Sequence, residues 1–299
     1  MLCSICINTY KRPVLLKKLL DSLVTQILDP IISLEIIVVD NDPDKQAGNV
    51  VRAFKTISSI DIKYFEQPIK NISLTRNKAV SEANGEFILF IDDDEYAQPN
   101  WIINTLACLE KYNADAVFGS VLSYFDVNTP NWIKSNLMFR RQIQKTGTIP
   151  AFTRTGNCLI KAAILNTVDG PFDLEYGLTG GGDSFLFNLL SRNGAKFIYC
   201  AESIVYEYVP PERASLNWLL KRSLRTGSGA TRHLIKFAKN KFATRIWLFL
   251  KAILFSLICL FLMIVNLPSK KRFINWTIIF AGNLGHIMAI FNFHYVEYK

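Results

Sequence analysis

The stretch Phe87-Ile88-Leu89-Phe90-Ile91-Asp92-Asp93-Asp94-Glu95 decides the fold of this 299-residue chain. Its apolar part is aromatic and branched aliphatic, which is typical of a strand buried on both faces of a sheet. Four carboxylates follow directly, and they repel one another where the strand ends. A hard divalent cation such as Mg²⁺ or Mn²⁺ would relieve that repulsion. A solvated acidic loop is the alternative interpretation, and these residues alone do not separate the two.

Strands and helices alternate on the N-terminal side of this stretch. Apolar runs predict strands over Leu2–Ile7, Leu34–Val39 and Ile60–Phe65. A leucine-rich helix is predicted from Pro13, and a second helix, capped by Ser73, over residues 73–84. This order predicts an α/β fold with a Rossmann-like, mostly parallel central sheet flanked by helices.

Three of the predicted strand ends carry polar clusters. These are Thr9 with Arg12, Asp40 with Asp42, and Asp92–Glu95. Because ligands of such sheets bind outside the carboxyl ends of the strands, three coinciding clusters favour a binding site over solvated loops.

The second half is less regular, and its clearest signal is Gly180-Gly181-Gly182-Asp183 before a predicted helix over Ser184–Arg192. Glycines let the backbone approach a ligand closely, and Asp183 lies where a helix should begin. Asp183 is therefore expected to cap the helix in either case, and the glycines beside it favour a site over a cap alone. Short strands are predicted over Ala116–Tyr124, Cys158–Ile160, Phe197–Cys200 and Ser203–Tyr208, with a loop at Asp126–Met138.

The positive charge is concentrated near the C-terminus. Residues 1–212 carry 20 basic and 24 acidic residues, whereas residues 213–299 carry 14 basic residues and one acid, Glu297. Such asymmetry indicates a basic module that docks on something anionic. Apolar runs interleave with the basic residues and no zinc-finger or aromatic-on-sheet signature is present, so a membrane surface, reached through residues 229–299, is favoured over nucleic acid.

Two uncharged stretches, Ala252–Pro268 and Phe273–Val296, flank Ser269-Lys270-Lys271-Arg272. The second stretch contains the polar residues Asn275, Asn283, His286, Asn292 and His294. If both stretches crossed a bilayer, the basic turn would lie outside, against the positive-inside tendency. An in-plane or shallow hairpin is favoured, and two spans are the alternative.

The N-terminus shows no signal-peptide pattern, so the N-terminal part is expected in a reducing cytoplasm. The whole chain is then expected at the cytoplasmic face of the inner membrane. Cys3 and Cys6 form a C-x-x-C inside an apolar strand, where buried, inert thiols are favoured over a zinc or redox site.

Taken together, these stretches resemble glycosyltransferase family 2, the inverting nucleotide-sugar transferases of the GT-A fold. Within that family they are most similar to the bacterial enzymes that build surface polysaccharides. The matching segments are Cys6–Pro13, Ile36–Asp42, Leu74–Ala79, Gly85–Glu95, Gly156–Ile160, Phe172–Asp173, Gly181–Leu186 and Arg192–Ala195. The resemblance implies transfer of a sugar, from a UDP-sugar first of all, to a hydroxyl of a saccharide or lipid-linked acceptor. It implies a catalytic domain over residues 1–228, with a nucleotide half to about residue 100 and an acceptor half beyond, followed by the membrane-associating region 229–299.

The resemblance also implies individual roles. Asp183 would be the catalytic base, and Asp92 and Asp94 would form the D-x-D pair, with Asp94 the direct ligand of Mg²⁺ or Mn²⁺. The nucleotide would be bordered by Thr9, Arg12, Asp40, Arg76, Asp92 and Asp93. Contacts to the acceptor or leaving group are assigned to Trp132, Asn157, Gly181, Gly182, Glu207, Arg222 and Arg225.

The sequence departs from the family pattern at two of these positions. Gly182 stands where many members carry a second acid. Many members also carry a metal-binding histidine after the last core strand, and here either Glu207 takes its place or the metal is held by fewer protein ligands. Two alternatives stay open, namely a sugar nucleotidyltransferase and a non-catalytic membrane scaffold. The loop Asn8–Pro13 lacks the glycine-rich, lysine-bearing pattern of the former, and the intact Asp92, Asp94 and Asp183 argue against the latter.

Overall fold

The computed structural model describes residues 1–293, 295 and 296, so His294 and Glu297 lie outside the described residues. In the described part of the chain, eight strands form one sheet: β1 Leu2–Thr9, β2 Ser33–Asp40, β3 Asp61–Glu66, β4 Phe87–Phe90, β5 Glu95–Ala97, β6 Ala116–Phe125, β7 Cys158–Lys161 and β8 Phe197–Val209. The helices are α1 Pro13–Val24, α2 Ala47–Ile57, α3 Ile72–Ser81, α4 Trp101–Lys111, α5 Asn131–Lys134, α6 Ala162–Leu165, α7 Gly182–Arg192, α8 Leu216–Lys236, α9 Lys241–Val265 and α10 Lys270–Ile290.

The sheet has a parallel half and a half with antiparallel pairs. Its strand order is β3-β2-β1-β4-β7-β6-β8-β5. Strands β3, β2, β1 and β4 are parallel, as the alternation of strands and helices predicted. β7 then pairs antiparallel with both β4 and β6, and β5 with β8. The parallel half therefore brings the ends of β1, β2 and β4 to one edge.

The sheet separates two hydrophobic cores. Cys3, Ile5 and Ile7 pack into the core that contains the buried leucines of α1, whereas Cys6 packs into the core on the other face. All six cysteines are free and buried. Burial raises the pKa of the Cys3 thiol to about 11, so it stays protonated. The prediction that Cys3 and Cys6 are buried is thus confirmed.

At the N-terminal edge of the parallel strands, Glu35 of β2 is buried with a full set of partners. It accepts hydrogen bonds from Ser4 Oγ (2.5 Å), Lys63 Nζ (2.6 Å) and the backbone N–H of Asn84 (2.6 Å). Burial alone would raise the pKa of Glu35, but these donors outweigh it and lower the pKa to about 2. Gly85 fits closely beside this network, because a Cβ there would lie 2.6 Å from Ser4 Oγ.

Several local predictions are corrected by the structure. The cap of α3 is Asn71, whose side chain accepts from the N–H groups of Ser73 and Leu74. The two short C-terminal strands are one strand, β8, and the loop after β6 contains the short helix α5. Propensity locates such elements but does not fix their ends, since a cap or a continuous strand depends on tertiary partners.

The chain forms two compact units. The first comprises Met1–Tyr124, Phe139–Gly177 and Gly182–Tyr208, and the second Phe125–Met138, Leu178–Gly181 and Val209–Lys299. Residue 228, the expected end of the catalytic domain, lies inside α8. In the described chain, α9 and α10 are long and apolar enough to cross a membrane, judged by length and composition.

Candidate active site

Asp93 fastens the loop after β1 to the end of β4. Its carboxylate accepts hydrogen bonds from Thr9 Oγ1 (2.9 Å) and from the guanidinium of Arg12 (2.8 Å), and Tyr10 N–H lies 3.4 Å away. The same guanidinium nitrogen donates to Asp94 Oδ2 at 2.9 Å. The structure thus brings together four of the predicted site residues, and Asp93 acts by holding the loop in place.

Asp92, Glu95 and Glu207 form a second, crowded group of carboxylates. Asp92 N–H donates to Glu95 Oε2 (3.0 Å), and Glu95 of β5 is paired with Glu207 of β8 across the sheet. Burial, together with the neighbouring carboxylates, raises the pKa of Asp92 to about 6 and the pKa of Glu95 well above its usual range. The neighbouring basic side chains therefore do not fully offset the negative charge at this edge of the sheet.

Gly156 makes this crowding possible. A Cβ at this position would lie 2.8 Å from Glu95 Oε1 and 3.2 Å from Asp92 Oδ2, so any larger residue would displace a carboxylate. The glycine is part of the turn that leads into β7. Its lack of a side chain is required by the close approach of two acidic groups.

Glu207 is paired with Arg141, whose guanidinium donates to Glu207 Oε2 at 2.6 Å. Across the described residues, Arg141 Nε is buried and has no hydrogen-bond partner. The charge of Arg141 also opposes the rise in the pKa of Glu95. Where many family members are expected to carry a histidine, this chain therefore has a carboxylate held by an arginine.

Arg76 of α3 supplies the other cation of this edge. It is 9% exposed, and its guanidinium stacks over the Phe172 ring at 5.4 Å. Its positive charge opposes the rise in the pKa of Asp92. Its Nε is buried and finds no hydrogen-bond partner among the described residues. A buried guanidinium with an unused donor is a natural contact for an anionic group such as a diphosphate.

Asp40 and Asp42, at the end of β2, differ in their partners. Asp40 accepts from Asp42 N–H (2.9 Å), Ala47 N–H (3.2 Å) and Tyr64 Oη (3.0 Å), so its carboxylate is occupied inside the protein. Asp42 Oδ2 is buried without a hydrogen-bond partner in the described chain. The unused acceptor at this strand end thus belongs to Asp42, which sequence reasoning placed in the cluster without giving it a role.

Asp183 lies in the first turn of α7 and is half-buried. Its Oδ1 accepts from Ser184 N–H at 2.8 Å, and its charge, after burial, raises the pKa of the Cys158 thiol. The preceding Gly180 and Gly181 have φ values of +73° and +92°, a region that favours glycine. The helix begins at Gly182, so Asp183 is inside the first turn and does not occupy the cap position predicted for it.

Of the remaining predicted residues, some are occupied within the first unit and others belong to the second unit. Asn157 uses its whole amide inside the first unit, with Trp101 Nε1 (2.8 Å), Ser120 O (2.9 Å) and the Ser203 backbone and hydroxyl as partners. Trp132 and Gly181 belong to the second unit, and so do Arg222 and Arg225 of α8. Gly182 packs against Tyr176, with 3.2 Å between its ideal Cβ and that of the tyrosine.

Sequence reasoning missed Arg141 and gave Glu95 no role. Glu95 stood in the quoted stretch and carried a readable signal, because it continues the acidic run at the strand end. Arg141 follows a region with no periodic pattern, so no local feature indicated that it meets Glu207, 66 residues away. The pairing of β5 with β8 places Glu95 beside Glu207, and Arg141 reaches Glu207 from a separate loop.

The donor set fits a divalent cation that is shared with a phosphate ligand. Mg²⁺ is commonly bound through one or two carboxylates plus substrate phosphates and water, and Asp92 and Asp94 supply such carboxylates. Among the described residues, no group of three or more His, Cys, Asp or Glu side chains is arranged to hold a metal by itself. Burial first, and then the neighbouring carboxylates, raise the pKa of Asp92, and a cation bound here would offset both effects.

Two solved glycosyltransferases share the fold. A mannosyltransferase from Pyrobaculum calidifontis, in complex with GDP-Man and Mn²⁺, superposes with a TM-score of 0.65 at 16% identity, over 96% of this chain and 86% of that one. TarS 1–349 of S. aureus, in complex with UDP-GlcNAc, superposes with a TM-score of 0.58 at 14% identity, over 100% and 97%. The chain spans 45% of a longer TarS chain. The mixed sheet flanked by helices is thus a GT-A fold.

The sequence comparisons give the family. The succinoglycan biosynthesis protein ExoM of Rhizobium meliloti is 29% identical over 94% of this chain and 91% of its own length. The family model described as glycosyl transferase family 2 matches residues 4–168. The chain belongs to glycosyl transferase family 2, and it is a glycosyltransferase.

Proposed function

We propose that the protein transfers a sugar, with inversion, from a nucleotide diphosphate sugar to a hydroxyl of a saccharide or lipid-linked acceptor. UDP-sugars are the first donors to consider, and Mg²⁺ or Mn²⁺ the cation. The reaction would serve the biosynthesis of a cell-surface polysaccharide, at the cytoplasmic face of the cell membrane. ExoM, similar over nearly the whole chain, is a polysaccharide biosynthesis protein by name, which supports this setting.

The observation that carries the proposal is the unbalanced charge at one edge of the sheet. Asp92, with a pKa raised to about 6, and the buried Glu95 lie at the same edge as Arg76, whose Nε has no partner in the described chain. A diphosphate with its cation supplies what both groups lack, since the cation relieves the carboxylates and the phosphate oxygens accept from the guanidinium.

The chemistry follows from the bond that breaks. The acceptor hydroxyl attacks the anomeric carbon, the bond from that carbon to the diphosphate oxygen breaks, and the nucleoside diphosphate leaves with the electron pair. Asp183 is the residue proposed to take the proton of the hydroxyl. It lies in the first turn of α7, at the positive end of the helix dipole.

Asp92 and Asp94 would hold the divalent cation, which when bound neutralises the charge that develops on the departing diphosphate. Arg12 holds Asp93 and Asp94 in place through hydrogen bonds of 2.8 and 2.9 Å. Arg76 is proposed to bind the diphosphate. Asp42 Oδ2 is proposed to accept a hydrogen bond from the nucleobase of the donor.

Thermal unfolding of the purified chain with UDP, GDP and dTDP, each with and without Mn²⁺, tests the donor site. A ligand that binds only the folded state raises the melting temperature by mass action, so one nucleotide should do so and only with metal. The shift should disappear in Asp94→Asn.

Glu82→Gln is the matched control, because Glu82, directly after α3, carries a carboxylate that pairs with Lys78 of that helix. This variant should keep the full nucleotide shift. Absence of a shift with every nucleotide in the unmodified chain would contradict the proposed donor site and would favour a non-catalytic scaffold.

A further inference from the structure

Helices α8 and α10 are parallel and closely packed in a fixed register. The register is set by three contacts at intervals of four residues: Ser223 Oγ donates to Ile278 O (2.7 Å), Gly227 lies against the Gly282 carbonyl, and Thr231 Oγ1 shares a hydrogen bond with His286 Nδ1 (2.7 Å). Small residues at such intervals let two helix backbones approach closely. The two helices therefore lie side by side over their middle turns.

This register places charge beside the centre of α10. Each contact joins residues 55 apart, as Ser223 and Ile278 are, so Arg225 lies level with Phe280, the middle of α10. Lys221 and Arg222 lie within one turn of that level. If α10 stood upright across a bilayer, these cations of α8 would lie near the bilayer midplane, where charged side chains are strongly unfavourable.

Helix α9 runs antiparallel to α10 and carries the apolar surface. Asn283 Nδ2 donates to Ala252 O (2.8 Å) and Ser256 Oγ (2.7 Å), and Arg245 donates to the carbonyl of Ile290. Along α9, which is described in full, Leu248, Ala252 and Cys259 are the buried residues. Large exposed apolar side chains cover the rest, including Leu250, Leu254, Leu257, Phe261 and Ile264.

Such an exposed apolar helix requires an apolar partner, and its charges identify that partner as anionic lipid. Lys241 and Arg245 lie at one end of α9, Lys251 follows before the helix midpoint, and Lys270–Arg272 come after its other end. Trp247, 57% exposed, is placed as an interfacial anchor. The uncharged part of the helix, residues 252–265, is about 21 Å long at 1.5 Å per residue, less than the ~30 Å of a hydrocarbon core.

We propose that α8, α9 and α10 dock on one leaflet of an anionic bilayer and that none of them crosses it. α9 lies embedded along the interface with cations at both ends among the lipid headgroups, and α8 stays on the aqueous side. This inference rests on the membrane association in the proposed function and adds its topology. Of the polar residues of α10, Asn283 and His286 are then satisfied by α9 and α8.

Cysteine labelling in the full chain tests the topology. Ser269→Cys marks the turn between α9 and α10, and Asn240→Cys marks the residue before α9. A membrane-impermeant maleimide should label neither variant in intact cells and both in inside-out vesicles. The unsubstituted chain, whose six cysteines are buried, is the control for background labelling.

Labelling of Ser269→Cys from outside intact cells would overturn the proposal, because the hairpin would then span. Failure of Ser269→Cys to label in inside-out vesicles would also overturn it, since the turn would not be at the cytoplasmic surface. Sugar transfer is measured on the same membranes. Intact transfer with the wrong labelling pattern would contradict the topology alone, and absent transfer with the expected labelling pattern would contradict the proposed function alone.

Discussion

The two ends of the parallel sheet both carry buried carboxylates, and they treat them in opposite ways. At the N-terminal edge, Glu35 has three donating neighbours, Ser4, Lys63 and Asn84, and its pKa falls to about 2. At the C-terminal edge, burial and like charges raise the pKa of Asp92 to about 6. One edge has its full set of donors within the chain, whereas the other leaves its carboxylates crowded together.

This difference separates carboxylates that stabilise the folded chain from carboxylates that are proposed to act in sugar transfer. A buried charge that is fully hydrogen-bonded favours the folded state, whereas crowded carboxylates oppose folding and persist where function needs them. Variants at the two edges should therefore give opposite patterns, with loss of stability at one and loss of activity at the other.

The largest effect is expected for Asp183→Asn. If Asp183 is the base, its amide cannot take the proton of the acceptor hydroxyl, and kcat should fall by about 10²–10⁴. The melting temperature should stay within a few degrees, because the amide oxygen can still accept from Ser184 N–H. Initial rates of sugar transfer and thermal unfolding measure the two effects, with Glu82→Gln as control. Retained kcat would remove Asp183 from the mechanism.

Glu35→Gln should produce the reverse result, lowering the free energy of unfolding by about 3 kcal/mol because it leaves the Lys63 ammonium without its buried partner. Urea unfolding measures this loss, while kcat per folded molecule should be unchanged. Asp61→Asn is the matched control, because Asp61 also faces Lys63, at 3.7 Å, but its side chain is 67% exposed. Equal losses in both variants would mean that burial is not the cause.

The Glu35 contribution should depend on pH in a defined direction. Its pKa is lower in the folded chain, about 2, than the ordinary value of 4.5, so the stabilisation is complete above pH 4.5. It is then lost as the pH falls towards 2. The difference in unfolding free energy between the unmodified chain and Glu35→Gln should shrink over that window, and a difference that stayed constant to pH 2 would contradict the assigned pairing.

Asp92→Asn should stabilise the protein by about 2 kcal/mol at pH 7 while reducing transfer, since it removes a charge that folding disfavours. The folded pKa of about 6 lies above the ordinary 3.8, so the gain should decline as the pH falls from 6 to 4 and both states become protonated. Urea unfolding at pH 7 and pH 4 measures it. A destabilised Asp92→Asn at pH 7 would show that this edge is not strained.

The sequence predicts the parallel half of the sheet well, because its signals are local. An apolar run such as Leu2–Ile7 and the leucine spacing after Pro13 each report one element, and three polar strand ends meet wherever those strands are parallel. The acidic edge could be placed on this basis alone.

What the sequence could not supply was the division of labour among neighbouring polar residues. Asp40 and Asp42 cannot be told apart in the sequence. In the structure, Tyr64 and the N–H of Ala47 donate to Asp40, whereas one oxygen of Asp42 has no hydrogen-bond partner in the described chain. The same holds for Asn157, whose partners come from three distant segments. Hydrogen-bond occupancy is a tertiary property, and periodicity carries no information about it.

The smallest expected effect separates Asp40 from Asp42. Tyr64→Phe removes one of the three donors to Asp40, so the free energy of unfolding should fall by about 1 kcal/mol while the nucleotide-dependent rise in melting temperature stays the same. Asp42→Asn should do the opposite, with little loss of stability and a smaller nucleotide-dependent rise in melting temperature. The reason is that its unused oxygen is the one proposed to accept from the nucleobase. Paired thermal unfolding with and without nucleotide and Mn²⁺ decides between them. A diminished nucleotide response in Tyr64→Phe, with a normal one in Asp42→Asn, would assign the nucleobase contact to Asp40 instead. It would also show that even a fully hydrogen-bonded carboxylate at this edge belongs to the ligand site.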